Sequence, residues 1–270
     1  FEKAFTVSVT NLLEPVTDVG FEVASIVTNG LVLHLDAANS NSYSETGNTW
    51  NDISGNGNDV TIQGNVIFDN TNKFFNTGTN GFFSRGTGNN IPTGNSNYTM
   101  EVYVNQPQFN CRCGFMSIGG FNQTNKSNAF RIFEGSDIKI AHYWWGNDLR
   151  ANLGQVSLNT WLQILVKFDG TTRSIWVNGV MAGYDTPSGH NVESSAIQIS
   201  QTSQQYNEFQ RGKIKVARIY NRALSNSEIA TNYQSFTSTS SNNSISIDEE
   251  VAVGTVAGTL TATDSDTTSF

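Results

Sequence analysis

The stretch Leu162-Gln163-Ile164-Leu165-Val166-Lys167-Phe168-Asp169-Gly170-Thr171-Thr172-Arg173-Ser174-Ile175-Trp176-Val177-Asn178-Gly179 decides the fold class. Leu162, Ile164, Val166 and Phe168 recur with the period of two expected of a strand that buries one face, which leaves Gln163 and Lys167 on the other. Arg173–Val177 is a second short β run. Asp169-Gly170 and Asn178-Gly179 bracket it, and both dipeptides favour the left-handed backbone of tight hairpin turns. The same pattern recurs at Leu31–Leu35, Thr99–Val104, Ala129–Phe133, Ile138–Trp144, Ile197–Ser200 and Lys213–Tyr220. Helical character is confined to Ser225-Asn226-Ser227-Glu228-Ile229-Ala230, where Ser225 and Glu228 have capping-box spacing. The expected fold is all-β, a two-sheet antiparallel jelly-roll sandwich.

The 270 residues suffice for one large β domain or two ordinary ones. Fifteen Lys and Arg against 23 Asp and Glu give a net charge of −8, which argues against a general nucleic-acid binder. Only 14% of residues are charged, so the surface is polar through amides and hydroxyls, while 37% hydrophobic content allows a sizeable core. No apolar run approaches the ~20 residues of a membrane span, so no membrane insertion is expected. Cys111 and Cys113, one residue apart, are either two thiols or a strained local bridge, and a poor zinc site. The chain opens Phe1-Glu2-Lys3-Ala4 with no signal sequence, and reads as a piece of something longer.

Composition divides the chain. A Ser/Thr/Asn linker is expected over 235–244, with the main module over 20–234 before it. Residues 1–19 read as the last strand of a preceding unit and 245–270 as the truncated start of another.

Leu31-Val32-Leu33-His34-Leu35-Asp36-Ala37, followed by Trp50-Asn51-Asp52-Ile53-Ser54-Gly55-Asn56-Gly57-Asn58, resembles the opening of a laminin-G-like, concanavalin A-like jelly roll. Further motifs follow in family order. They are Asn159-Thr160-Trp161, Phe168-Asp169-Gly170-Thr171, Trp176-Val177-Asn178-Gly179, Gly212-Lys213-Ile214 and Arg218-Ile219-Tyr220-Asn221-Arg222-Ala223-Leu224-Ser225. The resemblance covers about residues 30–234. The flanks, Phe5–Asn11 and Ile247–Asp266, are similar to pieces of bacterial cadherin-like repeats, in which acids matching Glu249, Asp264 and Asp266 bind calcium between repeats. The resemblance implies a module of a large secreted or cell-surface protein.

The residues offer little for catalysis. Glu101, Glu134, Glu193 and Glu208 each stand without a second acid at i+2 or i+4, where a glycosidase would need a carboxylate pair. His34, within an apolar strand, reads as structural. Asp52, Asn56 and Asn58 lie in a turn rich in hard oxygen ligands. Relatives hold a structural Ca²⁺ there with help from an acid near the position that Lys215 occupies here; the other reading is an Asx-rich turn closed by its own hydrogen bonds.

The strongest signal is a non-core face. Phe130 and Ile132 read as core, which turns Arg131 and Phe133 outward. In the next strand Lys139, Tyr143 and Trp145 share one parity, Ile138, Ile140, His142 and Trp144 the other. Lys167 and Trp176 are expected on the same outer face. Asn147, Arg150 and Arg211 lie in loops at strand ends, where binding residues concentrate, Arg211 beside Gln205, Tyr206 and Glu208. Trp144-Trp145-Gly146-Asn147-Asp148 is either part of this surface or a packing motif.

Sugars stack their C–H faces on Trp and Tyr, and sulfate or carboxylate groups pair with Arg and Lys. The expected ligand set is therefore Arg131, Lys139, His142, Tyr143, Trp145, Asn147, Arg150, Lys167, Trp176 and Arg211. The expectation is a monomeric, non-catalytic carbohydrate-binding module for a polysaccharide, an anionic or sulfated algal glycan in particular. An adhesion module for a protein or cell-surface ligand, or a spacer, is the alternative.

Overall fold

The two turn dipeptides close as their chemistry requires. Asn178 and Gly179 take φ 50° and 79°, the left-handed pair of a two-residue hairpin turn, and Val177 pairs with Val180 across it. Asp169 accepts the Thr171 and Thr172 N–H groups on Oδ1 and so closes the other turn. A computed structural model describes residues 25–133, 139–154, 156–203 and 205–237. The expected segments 1–19 and 245–270, the cadherin-like acids Glu249, Asp264 and Asp266, and linker residues 238–244 lie outside the described residues.

The first strands are β1 (Leu31–Asp36), β2 (Thr49–Trp50), β3 (Val60–Gln63), β4 (Ile67–Asp69), β5 (Phe74–Asn76) and β6 (Phe82–Thr87). Then come β7 (Tyr98–Asn105), β8 (Gly114–Gly119), β9 (Ser127–Phe133), β10 (Lys139–Tyr143), β11 (Asp148–Asn152) and β12 (Trp161–Phe168). The last are β13 (Arg173–Val177), β14 (Val180–Asp185), β15 (Ala196–Ile199), β16 (Gln201–Ser203), β17 (Glu208–Phe209) and β18 (Lys213–Tyr220), followed by helix α1 (Asn226–Thr237). One sheet has the order β14-β13-β12-β7-β18-β5-β4, with β1 also on β18; the other runs β11-β10-β9-β8-β15-β6-β3-β2. All strand pairs are antiparallel, as expected for the jelly-roll sandwich. Between the sheets lies a core that includes Trp50, Phe75, Phe83, Phe115, Phe130, Trp144 and Phe168, all at most 2% exposed.

Sheet assignment corrects one expectation. β9 and β10 belong to one sheet and β12 and β13 to the other. Arg131 and Tyr143 therefore point away from Lys167 and Trp176, out of opposite sides of the sandwich. The β12–β13 side is roofed by α1. Its capping box forms as the sequence indicates, with Ser225 Oγ accepting from Glu228 N and Ser225 N donating to Glu228 Oε2. Beneath it Leu165, Trp176, Tyr220, Leu224 and Ile229 form a second small core. Trp176 is 5% exposed there, and Lys167 Nζ donates to the Leu224 carbonyl at 2.8 Å. The helix runs on to Thr237, so residues 235–237 of the expected linker are helical, with the Phe236 ring stacked 3.9 Å from that of Tyr103.

Also under α1 lies a buried polar network. Glu101, fully buried, accepts from Gln163 Nε2, Asn232 Nδ2 and Arg218 Nη1, and Arg218 is 3% exposed. Glu101, one of the isolated acids of the sequence, is thus the counter-charge of a buried arginine.

Candidate functional site

The outer face of the β8–β11 sheet carries the residues of interest. In register across β9, β10 and β11 stand Ala129, Tyr143 and Asp148, then Arg131, Ala141 and Arg150, then Phe133, Lys139 and Asn152. Arg131, Lys139 and Tyr143 therefore share a face, as the parity of the sequence indicates, and Arg150, expected in a loop, joins them from the middle of strand β11. The Arg150 guanidinium lies 3.9 Å over the Phe133 ring, and that of Arg131 5.4 Å from it.

Two irregular segments turn this face into a cleft. The first is the hairpin β16–β17, which packs on β8 and β9 from outside. Gly114 makes this possible, since a Cβ there would stand 2.5 Å from the Glu208 carbonyl oxygen and the Thr202 nitrogen. The hairpin delivers Glu208, 4% exposed, under the face. Its Oε2 accepts the Tyr143 and Thr202 hydroxyls at 3.1 and 2.7 Å, and its Oε1 pairs with Arg131 Nε at 3.3 Å. Burial, and then the Glu208 charge, push the Tyr143 phenol well above its ordinary range, which keeps it a donor.

The second segment is the two-residue turn from β10 to β11. Trp145 and Gly146 adopt φ 63° and 72°, and Trp144 N donates to Asn147 O. A tryptophan in the left-handed region is unusual, and such outliers persist where surrounding structure holds them. The Trp145 ring is half-buried, 5.8 Å from Tyr206 and edge-on to Phe121 at 6.1 Å. Tyr206 is 41% exposed and donates its hydroxyl to Asn122 Oδ1.

The result is a cleft of about 250 Å³ lined by Arg112, Arg131, Tyr143, Trp145, Gly146, Asp148, Tyr206 and Glu208. Arg131, Tyr143 and Trp145 of the expected set meet in it. Lys139 and Arg150 lie farther along the same sheet face. Arg211 sits in the turn before β18 and donates to the Asn207 carbonyl, and it is not among the lining residues. His142 is a correction: it is fully buried, facing the core opposite to Tyr143, with Nε2 2.7 Å from the Tyr98 hydroxyl. Burial, Arg173 and His190 hold its pKa well below the ordinary histidine value. Asn147 is committed to the scaffold, donating to Asn125 Oδ1 and the Ser188 carbonyl while its own carbonyl accepts from Arg173. Of the open pair of tryptophans, Trp144 is core, donating to Tyr98, and Trp145 is in the cleft.

Sequence reading missed Arg112 and Phe121 and gave Tyr206 and Glu208 no role of their own. One signal was available for Arg112, its place between two cysteines. Cys111 and Cys113 form a disulfide with both residues in the core, so the bridge resolves the open alternatives and anchors the segment from which Arg112 projects at the cleft.

The Asp52 loop resolves differently. Asp52 Oδ1 accepts from His34 N and Ser54 N, and Oδ2 from Ser54 Oγ and Asn58 N. An ionised carboxylate has about four lone-pair sites, and here all are taken. Asn58 is fully buried, with Nδ2 donating to the Val32 and Asn89 carbonyls and Oδ1 accepting from Asn89 N. Asn56 Nδ2 donates to the Leu31 carbonyl and to Ser54 Oγ. These residues do not fit a cation cage, and Lys215 Nζ lies instead over the Trp161 ring, 5.4 Å from its centroid.

A two-sheet sandwich with a loop-built cleft on one sheet is the architecture of lectin-like jelly rolls. Residues 76–230, more than half of the chain, match the Concanavalin A-like lectin/glucanases superfamily in its laminin-G model, and the chain belongs to that family. Among solved structures it is similar to domain 4 of AbnA, a GH43 extracellular arabinanase from Geobacillus stearothermophilus, in complex with arabinotriose. That match has 16% identity and a TM-score of 0.57 over 75% of this chain and 98% of that one. It is also similar to the binding domain of botulinum neurotoxin serotype D/C, with 15% identity, a TM-score of 0.57 and coverage of 78% and 53%. A third match is a structure of botulinum neurotoxin type C, whose cell entry depends on interaction with two ganglioside molecules. Its identity is 15%, its TM-score 0.56 and its coverage 77% and 52%, so this chain spans about half the length of the toxin structures. No curated protein matches the chain in sequence.

Proposed function

We propose that the chain is a non-catalytic carbohydrate-binding module of a secreted or cell-surface protein, and that a polysaccharide binds in the Trp145–Tyr206 cleft. The observation that carries this is Trp145, held in a left-handed turn with its ring beside Tyr206, in one cleft with the Arg131–Glu208–Tyr143 polar group. Sugar rings use both halves of such a surface, C–H faces on the aromatics and hydroxyls on the polar floor. The ligand-bound AbnA domain and the ganglioside-dependent toxin support the reading, as relatives in fold that take glycans. The disulfide supports an oxidising compartment.

The cleft holds two carboxylates, Asp148 and Glu208, and their engagement favours binding over hydrolysis. A glycosidase acid must deliver a proton to the leaving oxygen. Glu208 instead pairs with Arg131 and accepts hydrogen bonds from two hydroxyls, so both its oxygens are engaged by the fold. Affinity electrophoresis of the wild type and Tyr206→Ala through gels containing a panel of polysaccharides tests the proposal. Retardation of the wild type by at least one glycan, lost in the variant, is expected. Retardation by none moves the reading to the protein-binding adhesion module, for which exposed Val180, Met181 and Tyr184 on the edge strand β14 would be the surface.

A further inference from the structure

Of the basic residues that suggested an anionic glycan, Arg131, Lys139 and Arg150 share one sheet face, yet the cleft beside them is balanced in charge, and this arrangement points elsewhere. Lys167 faces the other side of the sandwich beneath α1, with Nζ on a backbone carbonyl. Arg211 donates to the Asn207 carbonyl outside the cleft lining. Arg150 pairs with Asp148 at 3.6 Å and lies over the Phe133 ring. Within the cleft the lining charges are the guanidiniums of Arg112 and Arg131 and the carboxylates of Asp148 and Glu208, two of each sign. Arg131 and Glu208 face one another with side chains only 13% and 6% exposed.

We infer that the cleft takes an uncharged sugar unit, and that the Arg131–Glu208 pair reads hydroxyl groups rather than a sulfate or carboxylate. The inference rests on the carbohydrate reading above. A sulfate drawn toward Arg131 would meet the Glu208 carboxylate about 3 Å from that guanidinium, and losing its water would bring no net attraction in return. A hydroxyl has no such conflict, because it accepts from a guanidinium N–H and donates to a carboxylate oxygen at once. Fixed donor and acceptor side by side suit a neutral polyol, and the Trp145 and Tyr206 rings receive the uncharged C–H face.

The test is titration calorimetry of the full chain against neutral polysaccharides (arabinan, xylan, mixed-linkage β-glucan) and anionic ones (alginate, polygalacturonate, carrageenan). Each is run at about 0.1 M and about 1 M NaCl, between which the screening length falls from roughly 10 Å to roughly 3 Å. At least one neutral polysaccharide should bind, with an affinity that changes by less than about twofold across that range. Asp148→Asn, which leaves the lining at a net positive charge, should gain salt-sensitive binding to an anionic polysaccharide that the wild type lacks. Wild-type binding to anionic polysaccharides alone, weakened by salt, overturns the inference and leaves the carbohydrate reading standing. Binding to none by protein that remains folded overturns both.

Discussion

Trp145→Asn separates presentation of the ring from packing of the fold. In the wild type, Trp145 at φ 63° and Gly146 at 72° form the turn between paired Tyr143 and Asp148. The left-handed region costs a side chain with a Cβ about 1–2 kcal/mol, and asparagine before glycine is the pair best suited to it. The substitution therefore relieves strain of roughly that size. It also removes two aromatic contacts, to Tyr206 at 5.8 Å and Phe121 at 6.1 Å, each worth about 0.5–1.5 kcal/mol. The two effects oppose one another, and the net change in stability should stay within about 2 kcal/mol, a shift of no more than roughly 8 °C in Tm for a domain of this size. Binding has no such compensation. Loss of a central tryptophan contact costs about 2 kcal/mol or more, roughly thirtyfold in affinity. Thermal unfolding and affinity electrophoresis on the same preparations measure the two quantities. A variant destabilised by more than about 3 kcal/mol that still binds normally when folded would refute the reasoning, because Trp145 would then be a packing residue.

Three further outcomes follow from the same contacts. Trp176→Ala should cost about 3–5 kcal/mol in urea unfolding yet leave glycan affinity unchanged once folded, since Trp176 lies under α1 on the opposite sheet; loss of affinity at constant fold would return it to the site. Glu101→Gln strips Arg218 of its buried counter-charge and should destabilise by about 3–5 kcal/mol, while a change under about 1 kcal/mol would mean that water reaches Arg218 through the cavity of about 260 Å³ it lines beside Phe236. Burial, aided by nearby arginine, lowers His34 to about 3 and His190 to about 4, so the unfolded chain takes up protons near pH 6.5 that the folded chain refuses. Stability should therefore fall as pH drops from about 6.5 toward 4, by up to about 1.4 kcal/mol per pH unit for each histidine, and a flat profile of unfolding free energy from pH 7 to about 5 would contradict the burial.

Removal of divalent metal tests the Asp52 loop. Its carboxylate already accepts four donors from the chain itself, so a chelator should leave Tm unchanged within error. A fall of several degrees on adding EDTA, reversed by calcium, would show that a cation replaces those donors.

What the sequence made legible follows from range. Strands such as Arg173–Val177 and Lys213–Tyr220 were readable to the residue, because short β-prone runs and, for the first, the Asn178-Gly179 turn that follows are local properties. So was the outward parity of Arg131, Tyr143 and Trp145. Short strands without alternation, such as β2, β16 and β17, left no local trace. The cleft was only half legible for a related reason. Alternation states which residues of a strand leave the core, but a sandwich has two outer faces, and alternation does not say which one a strand serves. That assignment is made by pairing at a distance, with β7 lying between β12 and β18 and so drawing the Lys167–Trp176 hairpin away from β9 and β10. Once the face divides, the inventory of basic residues divides with it, and the remainder beside Trp145 is matched by Asp148 and Glu208. Glu208 reaches Arg131 only because a glycine at position 114 lets β16–β17 lie against the sheet, a contact between segments nearly a hundred residues apart. The charge balance of the cleft is therefore a tertiary property, which the residue types alone do not give.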